Sequence, residues 1–166
     1  MALGVLRHFQ PIVYATLQPD RLSLRDVKSG RSVSEPPLVA LSRETKRRLL
    51  GVGEDAKRAA ATHGADLVNP FKHPRTLLAD FTAGQLVFKA LLRKLFEGRL
   101  FVAAPLVVLH PLGDPEGGLT EIEVRALQEL AVGAGASKVY VWHGRQLSDE
   151  ELLALNFDSG GELLNR

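Results

Sequence analysis

The run from Leu106 to Trp142, LVVLHPLGDPEGGLTEIEVRALQELAVGAGASKVYVW, constrains the fold more than any other part of the chain. An apolar stretch, Leu106 to Leu109, leads into a turn rich in proline and glycine, Pro111 to Gly118. Thr120-Glu121-Ile122-Glu123 then spells a capping box, the reciprocal pairing of a threonine and a glutamate that starts a helix. Ile122, Ala126, Leu127, Leu130 and Ala134 fall on one face, and Gly133 and Gly135 end the helix. A second apolar run, Val139 to Trp142, follows at once. Strand, helix and strand with short joints make a βαβ unit, which demands a parallel sheet and a right-handed crossover. The chain is therefore expected to be an α/β protein.

Upstream, the pattern changes to short strands. Ile12 to Leu17 is β-branched and aromatic, Gln18-Pro19-Asp20 supplies a turn, and Arg21 to Val27 alternates polar and apolar with period two. Ser29-Gly30 makes another turn, and Glu35 to Leu41 reads as a third strand entered through a proline pair. These three strands predict an antiparallel meander. Residues 42–78 read as a small insertion. They hold a charged run, Ser42 to Arg48, a short alanine-rich helix, Glu54 to Thr62, and breaks at Asn69-Pro70 and His73-Pro74. They carry too few large apolar residues to build a separate core.

Asp80 and Thr82 are both suitable N-caps for a long helix reaching Glu97 and closed by Gly98. Gln85, Lys89, Arg93 and Glu97 recur every fourth residue on its solvated face, while Val87, Ala90, Leu91 and Leu95 face inward. After the last strand, Ser148-Asp149-Glu150-Glu151 caps a short helix through about Leu155. The tail, residues 156–166, is polar and glycine-rich enough to be partly mobile.

The 166 residues suffice for one ordinary domain with a sizeable core. A net charge of +2 is too weak an excess to argue for nucleic acid. The absence of cysteine excludes disulfides, thiolate metal sites and cysteine nucleophiles. No apolar run approaches the roughly 18–20 residues that span a bilayer. The start, MALGVLRHFQ, has neither a charged lead nor a long apolar region, so a signal peptide is not expected and a cytoplasmic location is. Leu3, Leu6 and Phe9 recur at spacings of three. That pattern fits either an amphipathic turn lying on a membrane or partner surface, or a short packed terminus.

The residues carry a resemblance beyond this pattern. The run GVGEDAKRAA, the ADF at Ala79 to Phe81 and above all TEIEVRALQELAVGAGASKVYV resemble the MreB-type bacterial actins, the rod shape-determining proteins. In that family a T-x-x-E-x-R-A…A-x-G-A-G-A-x-x-V run is a specific signature. The resemblance covers roughly residues 12 to 155, the first of two actin domains. It implies a single actin-like (ribonuclease H-like) domain over residues 1–166. Its mixed five-stranded sheet would carry three antiparallel N-terminal strands and flanking helices. Residues 11–41 and 79–155 would form subdomain IA and residues 42–78 the small subdomain IB.

The resemblance also implies where nucleotide would sit. Actin-family proteins hold ATP between two domains, with a first phosphate loop joining the first two strands. The equivalent turn here is Thr16-Leu17-Gln18-Pro19-Asp20-Arg21. It has no glycine to bring backbone close to phosphate, and Pro19 removes an N–H donor. Asp20 adds negative charge, which Arg21 offsets in part. The family's Glu-Glu-Pro after the last strand stands here as Trp142-His143-Gly144. ATP and magnesium are therefore not expected, and neither is enzymatic activity. Thr16 and Arg21 are the only weak candidates for touching phosphate. Glu123 falls on the family position that orients the hydrolytic water, and it is also the glutamate of the capping box, so it carries both readings.

Other chemistry has little support. Glu116-Gly117-Gly118 fits no phosphate-cradling pattern, and Asp114 and Glu116 oppose an anion. The five histidines show no ligand spacing, so no metal site is expected. The basic run Arg43, Lys46, Arg47, Arg48 beside Leu49 and Leu50 is either a solvated face or a surface for anionic lipid or a partner. The leading expectation is a non-catalytic, truncated MreB-like actin homologue, a protein-binding or cytoskeleton-associated module linked to cell shape. Its partner would be a full-length MreB-type filament or a second copy, with peripheral membrane contact. The alternative is an ATP-binding or ATPase half-protein whose cleft is completed by oligomerisation, with Thr16, Arg21 and Glu123 lining the phosphate site.

Overall fold

The computed structural model describes residues 10–113 and 117–165. Leu3, Leu6 and Phe9, and the turn residues Asp114 and Glu116, lie outside the described residues. Among the described residues, strands β1 (Ile12–Gln18), β2 (Arg21–Asp26), β3 (Ser32–Glu35), β7 (Leu106–Pro111), β8 (Lys138–Gly144) and β9 (Gly161–Leu163) form one sheet in the order β3-β2-β1-β7-β8-β9. β1, β7 and β8 run parallel, as the βαβ reading requires, and β1, β2 and β3 run antiparallel.

The sheet buries apolar side chains on both faces because strand side chains alternate. On one face Val13, Ala15, Leu17, Leu22, Leu24, Val107, Leu109 and Val141 meet α2 (Phe81–Leu95) and α3 (Glu121–Gly133). On the other, Ile12, Tyr14, Val108 and Trp142 pack with Leu147 and with Leu152 of α4 (Asp149–Ala154). β7 is buried along its whole length, as expected of a strand covered on both sides.

Helix starts follow the capping rules closely. Asp80, not Thr82, caps α2, its side chain accepting from Ala83 N at 2.9 Å. α3 and α4 both carry complete capping boxes, Thr120 with Glu123 and Ser148 with Glu151.

Four details depart from the sequence reading. The third strand of the meander is Ser32–Glu35, because Pro36 and Pro37 interrupt the run and deny it ladder donors. Beyond them β4 (Val39–Leu41) leaves for a second, three-stranded sheet with β5 (Leu49–Val52) and β6 (Asp66–Val68), ordered β5-β4-β6 and covered by α1 (Glu54–His63). This small sheet thus begins inside the stretch assigned to the main unit. Residues 161–163, expected in a mobile tail, form the sixth strand of the main sheet, antiparallel to β8. Ile122 is 81% exposed, and the inward face of α3 is instead Val124, Leu127, Leu130 and Ala131. Position 122 precedes the buried stripe by half a turn, so it points away from the sheet.

Candidate functional site

The turn where a phosphate loop would lie is a tight β-hairpin. Gln18 pairs with Arg21 across Pro19-Asp20, so the strands meet with no intervening cradle of N–H groups. The turn is also fastened from outside, since Asn69 Nδ2 donates to Pro19 O at 2.8 Å. Arg21 is exposed and its Nη1 donates to Ser34 Oγ at 3.3 Å. Thr16 is part-buried opposite Ser23 of β2 and His110 of β7. It lines a shallow hollow of about 230 Å³ with Ser23, Arg25, Ser32, Ser34 and Gln146.

Glu123 does not point into open space. Its Oε1 accepts from Leu77 N at 2.9 Å and Thr76 Oγ1 at 3.2 Å, and its Oε2 accepts from Thr120 N at 3.0 Å and Thr120 Oγ1 at 2.9 Å. Desolvation raises its pKa, but these four donors outweigh it and hold the carboxyl below the usual range. The side chain closes the α3 capping box and pins the 76–77 loop to that helix. Among the described residues no hydrogen bond or ion pair joins Thr16, Arg21 and Glu123 to one another.

The basic run occupies the β4–β5 connection, which Ser42 closes by bonding Arg48 N at 2.9 Å. Arg43 is tied to Asp66 at 2.8 Å and Arg48 to Glu44 at 2.7 Å, while Lys46 and Arg47 are exposed. No group of side chains among the described residues could hold a metal ion.

Two features were not anticipated from the sequence. The first is a buried polar chain between the parallel strands. His110, only 2% exposed, lies with Nδ1 2.6 Å from Tyr14 Oη and Nε2 3.0 Å from Gly144 O. A carbonyl can only accept, so Nε2 carries the proton and Nδ1 accepts from Tyr14. Burial pushes the imidazole pKa down, helped by the charge of His143 and opposed by the bond to Gly144, and burial raises that of Tyr14. A continuous apolar strand with one histidine gives no hint of this pairing.

The second is the loop between α2 and β7. Leu100 and Phe101 are each 98% exposed, the most exposed large apolar side chains described. The loop base is tied to the sheet: Arg99 pairs with the buried Asp26 at 3.2 Å, and Arg31 donates to Glu97 O at 3.2 Å. Beside it, Lys89 and Arg93 rim a hollow of about 210 Å³ floored by Leu92, Phe96 and Pro105. Gln10, the first described residue, donates to Ala104 O at 2.9 Å. Gln10 therefore lies against this loop. An apolar pair between a helix end and a proline, with no partner at strand or helix spacing, was the available signal.

With this geometry in hand, the comparisons with known proteins decide the family. The model of the MreB/Mbl protein family matches residues 26–148. The chain belongs to the MreB/Mbl family. It is 26% identical over 117 residues to the cell shape-determining protein MreB of Haemophilus influenzae, covering 69% of this chain and 32% of that protein. It is 28% identical over 114 residues to the cell shape-determining protein Mbl of Bacillus subtilis, covering 68% and 32%. The chain thus spans about a third of the curated relatives it matches. Among solved structures it resembles MreB5 of Spiroplasma citri bound to ADP, with a TM-score of 0.60 and 24% identity over 80% of this chain and 37% of that one. The AMPPNP-bound form of the same protein matches with a TM-score of 0.59 and 26% identity, covering 80% and 38%. The actin-like fold expected from the motifs is thereby established.

Proposed function

We propose that this chain is a non-catalytic MreB-family module that acts by binding, as a cell-shape or cytoskeleton-associated protein held at a membrane surface. The observation that carries the non-catalytic reading is the hairpin at Pro19-Asp20, which offers no glycine and no converging N–H groups to an anion. Glu123 fits the same reading, because both of its carboxylate oxygens are engaged by Thr120, Thr76 and Leu77. The membrane part rests on Leu100 and Phe101, with cationic Lys89 and Arg93 lining the hollow at Pro105, at the other end of the same loop. Exposed apolar side chains on a loop that also meets cationic side chains suit an anionic lipid surface. No helix among the described residues is long and apolar enough to cross a membrane, so contact would be peripheral.

The experiment is a calorimetric Mg-ATP titration of the purified chain with its mass followed in parallel. No heat and no change of mass are expected up to millimolar nucleotide. A saturable isotherm at micromolar concentration, or a dimer that forms only with ATP, would overturn the proposal in favour of a cleft assembled from two copies.

A further inference from the structure

The C-terminal strand lies beyond the region matched by the MreB/Mbl family model, and it is attached in an unusual way. β9 pairs with β8 at only three positions, Trp142 with Leu163, His143 with Glu162 and Gly144 with Gly161. Past β9 the ladder continues through a side chain. Leu164 N donates to Val141 O at 2.9 Å, and the Asn165 amide accepts from Val141 N at 2.7 Å and donates to Val139 O at 2.8 Å. The strand itself is largely exposed, so directional bonds hold it more than apolar burial does.

The fit is nevertheless selective. A side chain at Gly161 would meet His143 O at 2.3 Å and the Trp142 ring at 2.5 Å. One at Gly144 would meet Gly160 O at 2.4 Å. The edge of β8 therefore accepts a strand that presents glycine at this point and an amide four residues later. The chain's own Gly161-Glu162-Leu163-Leu164-Asn165 is such a strand.

The segment leading into it is short. Phe157 is seated against Tyr140 and Trp142, with ring centroids 5.2 and 5.8 Å apart, so only Asp158, Ser159 and Gly160 separate an anchored residue from β9. Gly160 turns at φ +79°. Arg145 clasps this turn from an exposed position, its guanidinium binding Glu151 and Ser159 Oγ and its N–H donating to Gly160 O at 2.8 Å. A short bent hinge before a lightly buried edge strand is the arrangement that permits exchange between copies, since every bond broken is remade on the partner.

We propose that residues 161–165 are an exchangeable edge strand, and that the β8 edge of one copy receives the 161–165 strand of a second copy. The resulting dimer is isologous, with two identical strand pairings.

The absence of cysteine makes a clean test possible. Residues 143 and 162 are direct cross-strand partners, at the separation a disulfide bridges. A His143→Cys chain and a Glu162→Cys chain are unfolded together, refolded at high concentration and mildly oxidised. The expected result is a covalent heterodimer in several-fold excess over that from Glu162→Cys mixed with Ser34→Cys, whose cysteine lies on the opposite edge strand. In parallel, sedimentation of the unmodified chain should show a concentration-dependent dimer that Gly161→Val abolishes while the monomer keeps its near-UV spectrum. Equal heterodimer yields in the two mixtures, or a dimer that persists in Gly161→Val, would overturn the proposal.

Discussion

Glu123 ties a helix start to a distant loop through a single carboxylate. Its four donors leave neither oxygen uncommitted, and two of them come from the loop at residues 76–77, far away in sequence. Replacing it with alanine removes half of a capping box and leaves the Leu77 N–H without its acceptor. A cost of about 1–2 kcal/mol is expected, which lowers the melting temperature by roughly 2–8 °C in a chain of this size. Its folded-state pKa lies below the unfolded value, so this stabilisation is complete above the unfolded pKa and is lost as pH falls through the folded one. Thermal melts of Glu123→Ala and the parent at pH 7 test this. Equal melting temperatures would mean that the carboxylate is not holding the 76–77 loop. The capping half of this role was legible in Thr120-x-x-Glu123, because it is local. The Thr76 and Leu77 half was not, because a tertiary contact across 46 residues leaves no periodic mark.

Among the elements, those with long periodic patterns were the readable ones. α2 and α3 buried the stripes their spacing implies, apart from Ile122, and β7 and β8 sat side by side as the βαβ rule requires. The elements that escaped were β3, β5, β6 and β9, each of three or four residues, too short to show alternation. What fastens the readable strands to one another also escaped. Tyr14 of β1, His110 of β7 and Gly144 at the end of β8 form a bolt across three strands, and Leu147 N reaches Tyr14 Oη at 3.5 Å from the loop before α4. Protonating Nδ1 would destroy its acceptor role and bury a charge beside Tyr14, with the charge of His143 opposing it. Because burial depresses the folded pKa, the unfolded chain takes up the proton first as pH falls. Stability should therefore be complete above the unfolded value of about 6.5 and decline below it. Urea midpoints at pH 7.5 and pH 5.5 measure this decline. The His110→Gln variant, whose amide can accept from Tyr14 and donate to Gly144 O, should show a smaller drop. A drop as large as in the parent would assign the sensitivity to other groups.

At the scale of the whole molecule, apolar surface is distributed unevenly. Both faces of the main sheet are covered, and the tail closes the edge beyond β8, yet Leu100 and Phe101 are left in solvent on a loop anchored by Arg99 to Asp26. Two large apolar side chains left in water on one loop cost hydration free energy without any return in folding, and a surface they enter would recover it. Burying a leucine and a phenylalanine contributes about 1.5–3 kcal/mol each, enough together for a change in affinity of roughly a hundredfold or more. Flotation with vesicles containing anionic lipid should therefore recover the parent chain and lose most of the Leu100→Ser/Phe101→Ser double variant. Since neither side chain packs against the core, that variant should melt within about 1 °C of the parent. Added salt should weaken binding only partly, because apolar insertion is not screened while attraction through Lys89 and Arg93 is. Vesicle binding that survives in the double variant and disappears in salt would assign the contact to the cationic face instead, including Lys46 and Arg47 on the β4–β5 connection. Retention of vesicle binding without nucleotide is the outcome that best fits a chain whose first hairpin is closed.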